Sequence, residues 1–114
     1  DSVTGGCLCG ALRFTATGAP YRVGLCHCLD CRKHHGALFH ASAIFPAAAV
    51  AITGAYRSFG DRTLPDLRLA VLAIWDDEIG INLGSLDEPS LFRPTYELWT
   101  IRREDWLPEF TGMR

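Results

Sequence analysis

Residues 26–31 read Cys26-His27-Cys28-Leu29-Asp30-Cys31, a C-x-C-x-x-C array of cysteines. Zinc prefers soft thiolate ligands, and such a short array supplies three of them. The alternative is that the three cysteines are buried as small apolar side chains. Because three thiols at this spacing are rare by chance, the array predicts a bound metal. It leaves open whether a fourth protein ligand completes the site or whether water or substrate takes the fourth position.

Charged and titratable residues surround the array. Arg32 and Lys33 follow it directly, and cations there would partly offset the net charge of about −1 on a zinc with three thiolates. The same two residues are candidates for binding substrate carboxylates, with a solvated basic turn as the alternative. The histidine between the first two cysteines is expected to point away from the metal. The candidate fourth ligands or proton carriers are His27, His34, His35 and His40. For each of them, the favoured alternative is a surface position or a core position with its hydrogen bonds satisfied.

A second, shorter motif lies near the start of the chain. Cys7-Leu8-Cys9 is a C-x-C pair with glycines on both sides, which allow the backbone to wrap closely around a metal. The pair supplies only two ligands, so a zinc site here needs another pair elsewhere. The alternative is two thiols on a turn.

Size and composition restrict the class of protein. The chain has 114 residues, 48% of them hydrophobic, with a formal net charge of −2. This predicts one globular domain over residues 1–114. The absence of a basic run argues against nucleic acid as a partner, and the absence of a long apolar run argues against a membrane span. Five clustered cysteines indicate metal binding in a reducing compartment, so the predicted location is cytoplasmic.

Short strands dominate the pattern of the chain. Leu12, Phe14 and Ala16 alternate with polar residues, as in a half-buried strand. Short helical turns are expected after Asp30 and over residues 103–107. The predicted class is mostly β, made of small sheets. The expected strands are 12–17, 21–25, 38–45, 50–53, 56–59, 69–75, 78–83 and 96–101, with a hairpin tip at 76–77.

Other polar and aromatic residues predict structural roles. Asp87 and Glu88 precede Pro89 and indicate a turn rather than acid–base groups. Residues 102–105 are two arginines followed by two acidic residues and are expected to form a solvated, self-paired surface. The tryptophans are expected to pack in the core or at its rim.

Several motifs together carry a family resemblance. The chain resembles the glutathione-dependent formaldehyde-activating enzymes, whose relatives include centromere protein V. The match includes the array at 26–31 with the Arg-Lys that follows it. The other matching stretches are Gly6-Cys7-Leu8-Cys9-Gly10-Ala11-Leu12, Gly36-Ala37, Phe45-Pro46, Leu83-Gly84-Ser85-Leu86-Asp87-Glu88-Pro89 and residues 99–107.

The resemblance implies a fold, metals and an activity. The implied fold is Mss4-like, with small antiparallel sheets folded around zinc. Cys26, Cys28 and Cys31 would hold a catalytic zinc, and Cys7 and Cys9 would join a later C-x-x-C to hold a structural zinc. The implied reaction joins glutathione, or a similar small thiol, to formaldehyde, or another small aldehyde, and its reverse is a carbon–sulfur lyase reaction. The alternatives are a non-catalytic, zinc-stabilised β module that binds a protein, and a thiol-based metal buffer or redox sensor.

The sequence departs from the family pattern after residue 58. The later C-x-x-C is expected within residues 62–70, and no cysteine occurs there. One choice of codons for residues 64–69, read one base later, encodes Cys-Arg-Thr-Cys-Gly-Ser, the missing motif. A local frameshift over residues 63–70 is therefore one hypothesis and true divergence is the other. If the residues are as written, the second zinc has lost two of its ligands.

Overall fold

The structure of the protein is a computed structural model. This structure describes residues 1–7, 10–54, 72–74 and 77–110, without the side chains of His34, Ala73 and Ile74. In these ranges eight strands and one α-helix form. They are β1 Ser2–Gly6, β2 Leu12–Thr17, β3 Arg22–Cys26, α1 Leu29–His35, β4 His40–Pro46, β5 Val50–Gly54, β6 Leu72–Ile74, β7 Glu78–Asn82 and β8 Tyr96–Leu98.

The first sheet has three antiparallel strands in the order β1-β2-β5. The register pairs Gly6 of β1 with Arg13 of β2, and Leu12 of β2 with Gly54 of β5. Alternate residues of β2 are buried, as the sequence pattern predicts, because successive side chains of a strand point to opposite faces. The short connection from β1 to β2 carries the Cys7 motif.

The second sheet has five strands in the order β6-β7-β4-β3-β8. All of its neighbours are antiparallel except β3 and β8, which pair in parallel with Cys26 beside Leu98. The expectation of antiparallel sheets is therefore wrong for this one pair. The parallel pair is possible because β4, β6 and β7 lie between β3 and β8 in the chain, which leaves ample length for a crossover. As a result, the array's first cysteine lies between β4 and β8.

Buried side chains from both sheets form one apolar cluster. Phe14 and Phe45 are among its largest members, and both are almost fully buried. In the second sheet the register aligns Val23, Ala43 and Ile81 across three strands, so their side chains share the core face. The mostly β class with small sheets is confirmed.

Several predicted elements differ from the observed ones. Residues 103–107 form no helix, and the short 3-10 turn lies instead at Thr100–Arg102. The last strand ends at Leu98 because Trp99 adopts a left-handed backbone with φ 58°, which cannot continue a strand. β1 was not among the predicted strands. The predicted strand at 56–59, and part of those at 69–75 and of the tip at 76–77, lie outside the described residues.

Among the described residues, no helix has the length and apolar character that crossing a membrane requires.

Candidate metal centre

The first cysteine of the array is placed by the second sheet. Cys26 is the last residue of β3, opposite His40 of β4 and beside Leu98 of β8. Leu25, its neighbour along the strand, is buried, whereas Cys26 is half-buried. Since adjacent residues of a strand point to opposite faces, the Cys26 thiol lies on the face away from Leu25.

The other two cysteines are placed by the start of α1. Cys28 is the N-cap residue, with an extended backbone at φ −61° and ψ 152°. Its Sγ accepts a hydrogen bond of 3.3 Å from the backbone N–H of Cys31, as a serine oxygen does at many helix N-termini. This contact explains the C-x-x-C spacing, because the third residue of a helix carries the N–H that the cap side chain reaches. The helix ends at Gly36 in a left-handed conformation.

The three sulfur atoms converge. The Sγ atoms of Cys26, Cys28 and Cys31 all lie within 4.8 Å of one another, and those of Cys26 and Cys31 are 3.6 Å apart. Two sulfurs bound to one tetrahedral zinc at about 2.3 Å would be about 3.8 Å apart. The donor set and its spacing therefore fit zinc. Among the side chains that the structure describes, no further ligand joins this group.

Burial makes two of these thiols weak acids. It raises the pKa of Cys31 and of Cys26 above the ordinary value. Burial also opposes ionisation of Cys28, but hydrogen bonds from the side chain and the backbone N–H of Cys31 outweigh it and lower the pKa of Cys28. Metal binding requires thiolates, so loading this centre releases protons.

The histidines near the array have different environments. His27 is fully buried and its Nε2 lies 2.8 Å from Oε1 of Glu97, so it points away from the sulfurs as expected. The rings of His35 and His40 are stacked in parallel with centroids 4.0 Å apart. The side chain of His34 is outside the described part of the chain. None of the described histidines belongs to the sulfur group.

The two basic residues after the array differ in their contacts. The guanidinium of Arg32 donates to Glu104 Oε2 at 2.8 Å and to the carbonyl of Arg102 at 2.9 Å, which ties α1 to the C-terminal segment. Lys33 is exposed and makes no ion pair with the described residues. Both line an open cleft of about 330 Å³ beside the helix. The other residues of that cleft are Leu29, Gly36, Ala37 and Leu38.

The structure describes only half of the earlier C-x-C motif. The Sγ of Cys7 accepts a hydrogen bond of 3.3 Å from the N–H of Leu12. Cys9 and residues 63–70 lie outside the described residues, and with them the predicted second zinc site and the frameshift hypothesis. Asp87 and Glu88 form a bend before the 3-10 turn at Pro89–Leu91, which agrees with the predicted turn. The Asp87 carboxylate also accepts long-range hydrogen bonds from Thr4 and Arg13.

Within residues 102–105, Arg102 and Asp105 are exposed as expected, but the expectation of a solvated, self-paired surface is wrong for Arg103 and Glu104. Arg103 is 16% exposed and pairs with Glu97 at 3.6 Å, while Glu104 pairs with Arg32. Nothing in the charge pattern distinguishes these long-range pairs from local ones. The partly buried position of Glu97 follows from the pairing of β8 with β3, which the sequence pattern does not indicate. Trp99 and Trp106 are largely exposed and so lie outside the core.

The fold and site define a small β protein with a group of three thiols that could hold a metal ion. A sequence model of one family, described as the glutathione-dependent formaldehyde-activating enzyme, matches residues 2–65, which is more than half of the chain. The chain therefore belongs to this family. No curated protein gives a significant match.

Proposed function

We propose that the protein joins glutathione, or a similar small thiol, to formaldehyde, or another small aldehyde. The product with glutathione and formaldehyde is S-hydroxymethylglutathione, and the reverse reaction is that of a carbon–sulfur lyase. Family membership supports this activity. The observation that carries the proposal is the convergence of three sulfur atoms with no fourth ligand among the described residues, because catalytic zinc sites keep one position open.

The chemistry requires a thiolate near a small electrophile. The thiolate sulfur donates an electron pair to the carbonyl carbon, a carbon–sulfur bond forms, and the carbonyl electron pair moves to oxygen, which takes a proton. A free thiol has a pKa of about 8.5, and zinc held by Cys26, Cys28 and Cys31 would supply deprotonation of the thiol and its orientation. The chain's own part is to hold the metal with one position open and to bind the rest of the thiol substrate.

The cleft beside α1 suggests how the thiol substrate is held. Glutathione carries carboxylates, and Lys33 is an exposed cation at the edge of this cleft. Arg32 also lines it, although Glu104 already occupies part of its guanidinium. We therefore assign Lys33 the main contact with a substrate carboxylate and Arg32 a supporting one.

The test is a calorimetric titration of the zinc-loaded protein with glutathione. Binding is expected in the unchanged protein and is expected to be lost in Cys28→Ser. S-methylglutathione, whose thiol is blocked, should bind weakly in the same experiment. Undetectable binding of glutathione at millimolar concentration, with zinc bound, would contradict the proposal.

Exposed apolar residues favour one alternative, a non-catalytic zinc-stabilised module that binds a protein. Leu98, Trp99 and Ile101 follow one another closely and are at least half exposed, and protein-binding surfaces are enriched in aromatic residues such as tryptophan. This alternative predicts indifference to glutathione. Under either function the centre needs reduced thiols, so we propose a cytoplasmic location.

A further inference from the structure

The second C-x-C segment projects its side chains to opposite sides. Cys26 ends a strand and Cys28 has an extended backbone, so residues two apart point the same way and the residue between them points the other way. The intermediate residue, His27, is fully buried. Its backbone N–H donates to the carbonyl of Leu98 at 3.0 Å. Because His27 lies between Cys26 and Cys28 in the chain, anchoring its side chain restricts the positions of both sulfur atoms.

A chain of polar contacts fixes His27 in turn. Its Nε2 lies 2.8 Å from Oε1 of Glu97, whose side chain is only 12% exposed. The same carboxylate oxygen lies 3.6 Å from Nε of Arg103. Arg103 also donates to the carbonyl of Pro108 and lies over the ring of Phe110 at 5.6 Å. These contacts connect the ligand segment to the C-terminal part of the chain.

The second ring nitrogen of His27 argues against a purely structural role for this side chain. With Nε2 donating to the carboxylate, Nδ1 is left as a buried acceptor, and it has no partner among the described residues. A buried polar atom without a partner costs free energy that an apolar side chain of similar volume would avoid. A histidine at position 27 is therefore favoured over an apolar residue only if its hydrogen bond to Glu97 has a role beyond core packing.

We propose that Glu97, acting through His27, is a positioning residue that sets the Cys26 and Cys28 sulfurs at the separation a metal requires, and that Arg103 holds Glu97 in place. The inference rests on the metal centre of the proposed function and adds residues outside the cysteine array to it. Hydrogen-bonded groups behind metal ligands commonly change metal affinity by about tenfold or more when removed. Removal of the Glu97 carboxylate acts on the metal-free protein. Without it, the Cys26 and Cys28 sulfurs are no longer held at the spacing that the metal requires.

The experiment compares three variants by titration with Co²⁺ and by competition for Zn²⁺ with a chromophoric chelator. Glu97→Ala removes the acceptor, Glu97→Gln keeps an oxygen that can accept from His27, and Glu78→Ala is the matched control. Glu78 is also partly buried and paired with an arginine, Arg22, at 3.0 Å, and it lies on β7 away from the array. Urea unfolding of each metal-free variant is measured alongside.

Glu97→Ala should lose about tenfold in affinity for both metals and should alter the cobalt–thiolate absorption bands. Glu97→Gln should recover most of the affinity, and Glu78→Ala should bind metal as the unchanged protein does, even if both alanine variants are equally destabilised. Unchanged affinity in Glu97→Ala, or a loss equal to that of Glu78→Ala, would overturn the inference and leave the proposed function intact. No metal binding by the unchanged protein would overturn both.

Discussion

The two C-x-C segments of the chain have the same pattern but different supports. At the first, backbone contacts close a tight turn, with Cys7 N–H donating to the carbonyl of Leu12 at 3.1 Å and Gly10 N–H donating to the carbonyl of Cys7 at 3.0 Å. At the second, one buried side chain and a helix start hold three thiols together. The same spacing of cysteines is therefore supported by different contacts at the two segments.

Hydrogen bonds between strands connect the surroundings of the first segment. The carboxylate of Asp87 accepts from Thr4 Oγ1 at 2.7 Å and from Arg13 Nη1 at 3.0 Å, and its backbone N–H donates to the carbonyl of Thr4 at 2.9 Å. These contacts join β1, β2 and the loop after β7. In the second segment, burial disfavours the charged form of Cys26 and Cys31 until a metal replaces the protons. We therefore expect metal to stabilise the second segment far more than the first.

The largest effect that separates the segments is on metal content. Cys28→Ser should reduce bound zinc from about one per chain to none, because a site with two thiolates is too weak to survive gel filtration. Cys7→Ser should leave the zinc at the array unchanged. Elemental mass spectrometry after gel filtration in metal-scrubbed buffer measures both. Equal losses in the two variants would show that the segments form one coupled centre, and about two zinc ions in the unchanged protein would show that the first segment is also loaded.

Metal content also affects stability, and the same two variants test this. Zinc in large excess over its dissociation constant stabilises a folded protein, by about 2.7 kcal/mol at a hundredfold excess. Zinc should therefore raise the melting temperature of Cys7→Ser as much as that of the unchanged protein, and should not raise that of Cys28→Ser. Melting curves with and without chelator provide the measurement.

The sequence predicted the parts of the fold that depend on local pattern. Alternation located β2, and the cysteine spacing identified the group of three sulfurs. Long-range pairing was less accessible, since nothing local indicates that β8 lies parallel to β3. The end of β8 was also missed, because Trp99 adopts a left-handed conformation that the intrinsic preferences of a bulky residue disfavour.

The support behind the sulfurs was missed for a related reason. Glu97 and Arg103 are six residues apart, and in the sequence they resemble any exposed charged pair. They become a site feature only when β8 pairs with β3 and brings Glu97 beside His27. Charge pattern reports which side chains are ionised but not which of them a sheet register will bury.

The contact of β8 with β3 provides a second test, through packing rather than ligands. A Cβ added at Gly24 would lie 2.2 Å from Cζ of Tyr96, so Gly24→Ala must displace that ring. Overpacking of this kind costs about 1–3 kcal/mol. Displacement of the Tyr96 ring would move β8 and with it Glu97, so we also expect weaker metal binding in Gly24→Ala. Gly84→Ala is the control, since nothing lies within 4 Å of its added Cβ. Chemical unfolding and metal competition should both distinguish the variants, and normal metal affinity in Gly24→Ala would show that the array does not depend on β8.

A smaller effect concerns substrate binding beside the second segment. Lys33 is the only lysine in the sequence, and an exposed ion pair contributes about 0.2–1 kcal/mol. Lys33→Ala should therefore weaken glutathione binding up to about fivefold, with unchanged zinc content, and Lys33→Arg should retain most of the affinity. Calorimetry at low and high salt measures this, because screening should remove the difference between the variants. A difference that persists at high salt would mean that Lys33 acts through something other than its charge.

The smallest effect belongs to the first segment and depends on pH. Arg13 and Thr4 lower the pKa of Asp87 to about 2, below the value of about 3.9 for an unfolded chain. A lowered pKa in the folded state stabilises the protein above pH 4, and this contribution is lost as the pH falls through about 2. Asp87→Asn should thus unfold slightly more easily than the unchanged protein at neutral pH, and the difference should disappear in acid. Metal-free protein is used because acid would also release metal from the thiolates. Glu88→Gln, at the neighbouring position, is the control. A difference that stays constant between pH 7 and pH 2 would attribute the support of the first segment to backbone contacts alone and not to this ion pair.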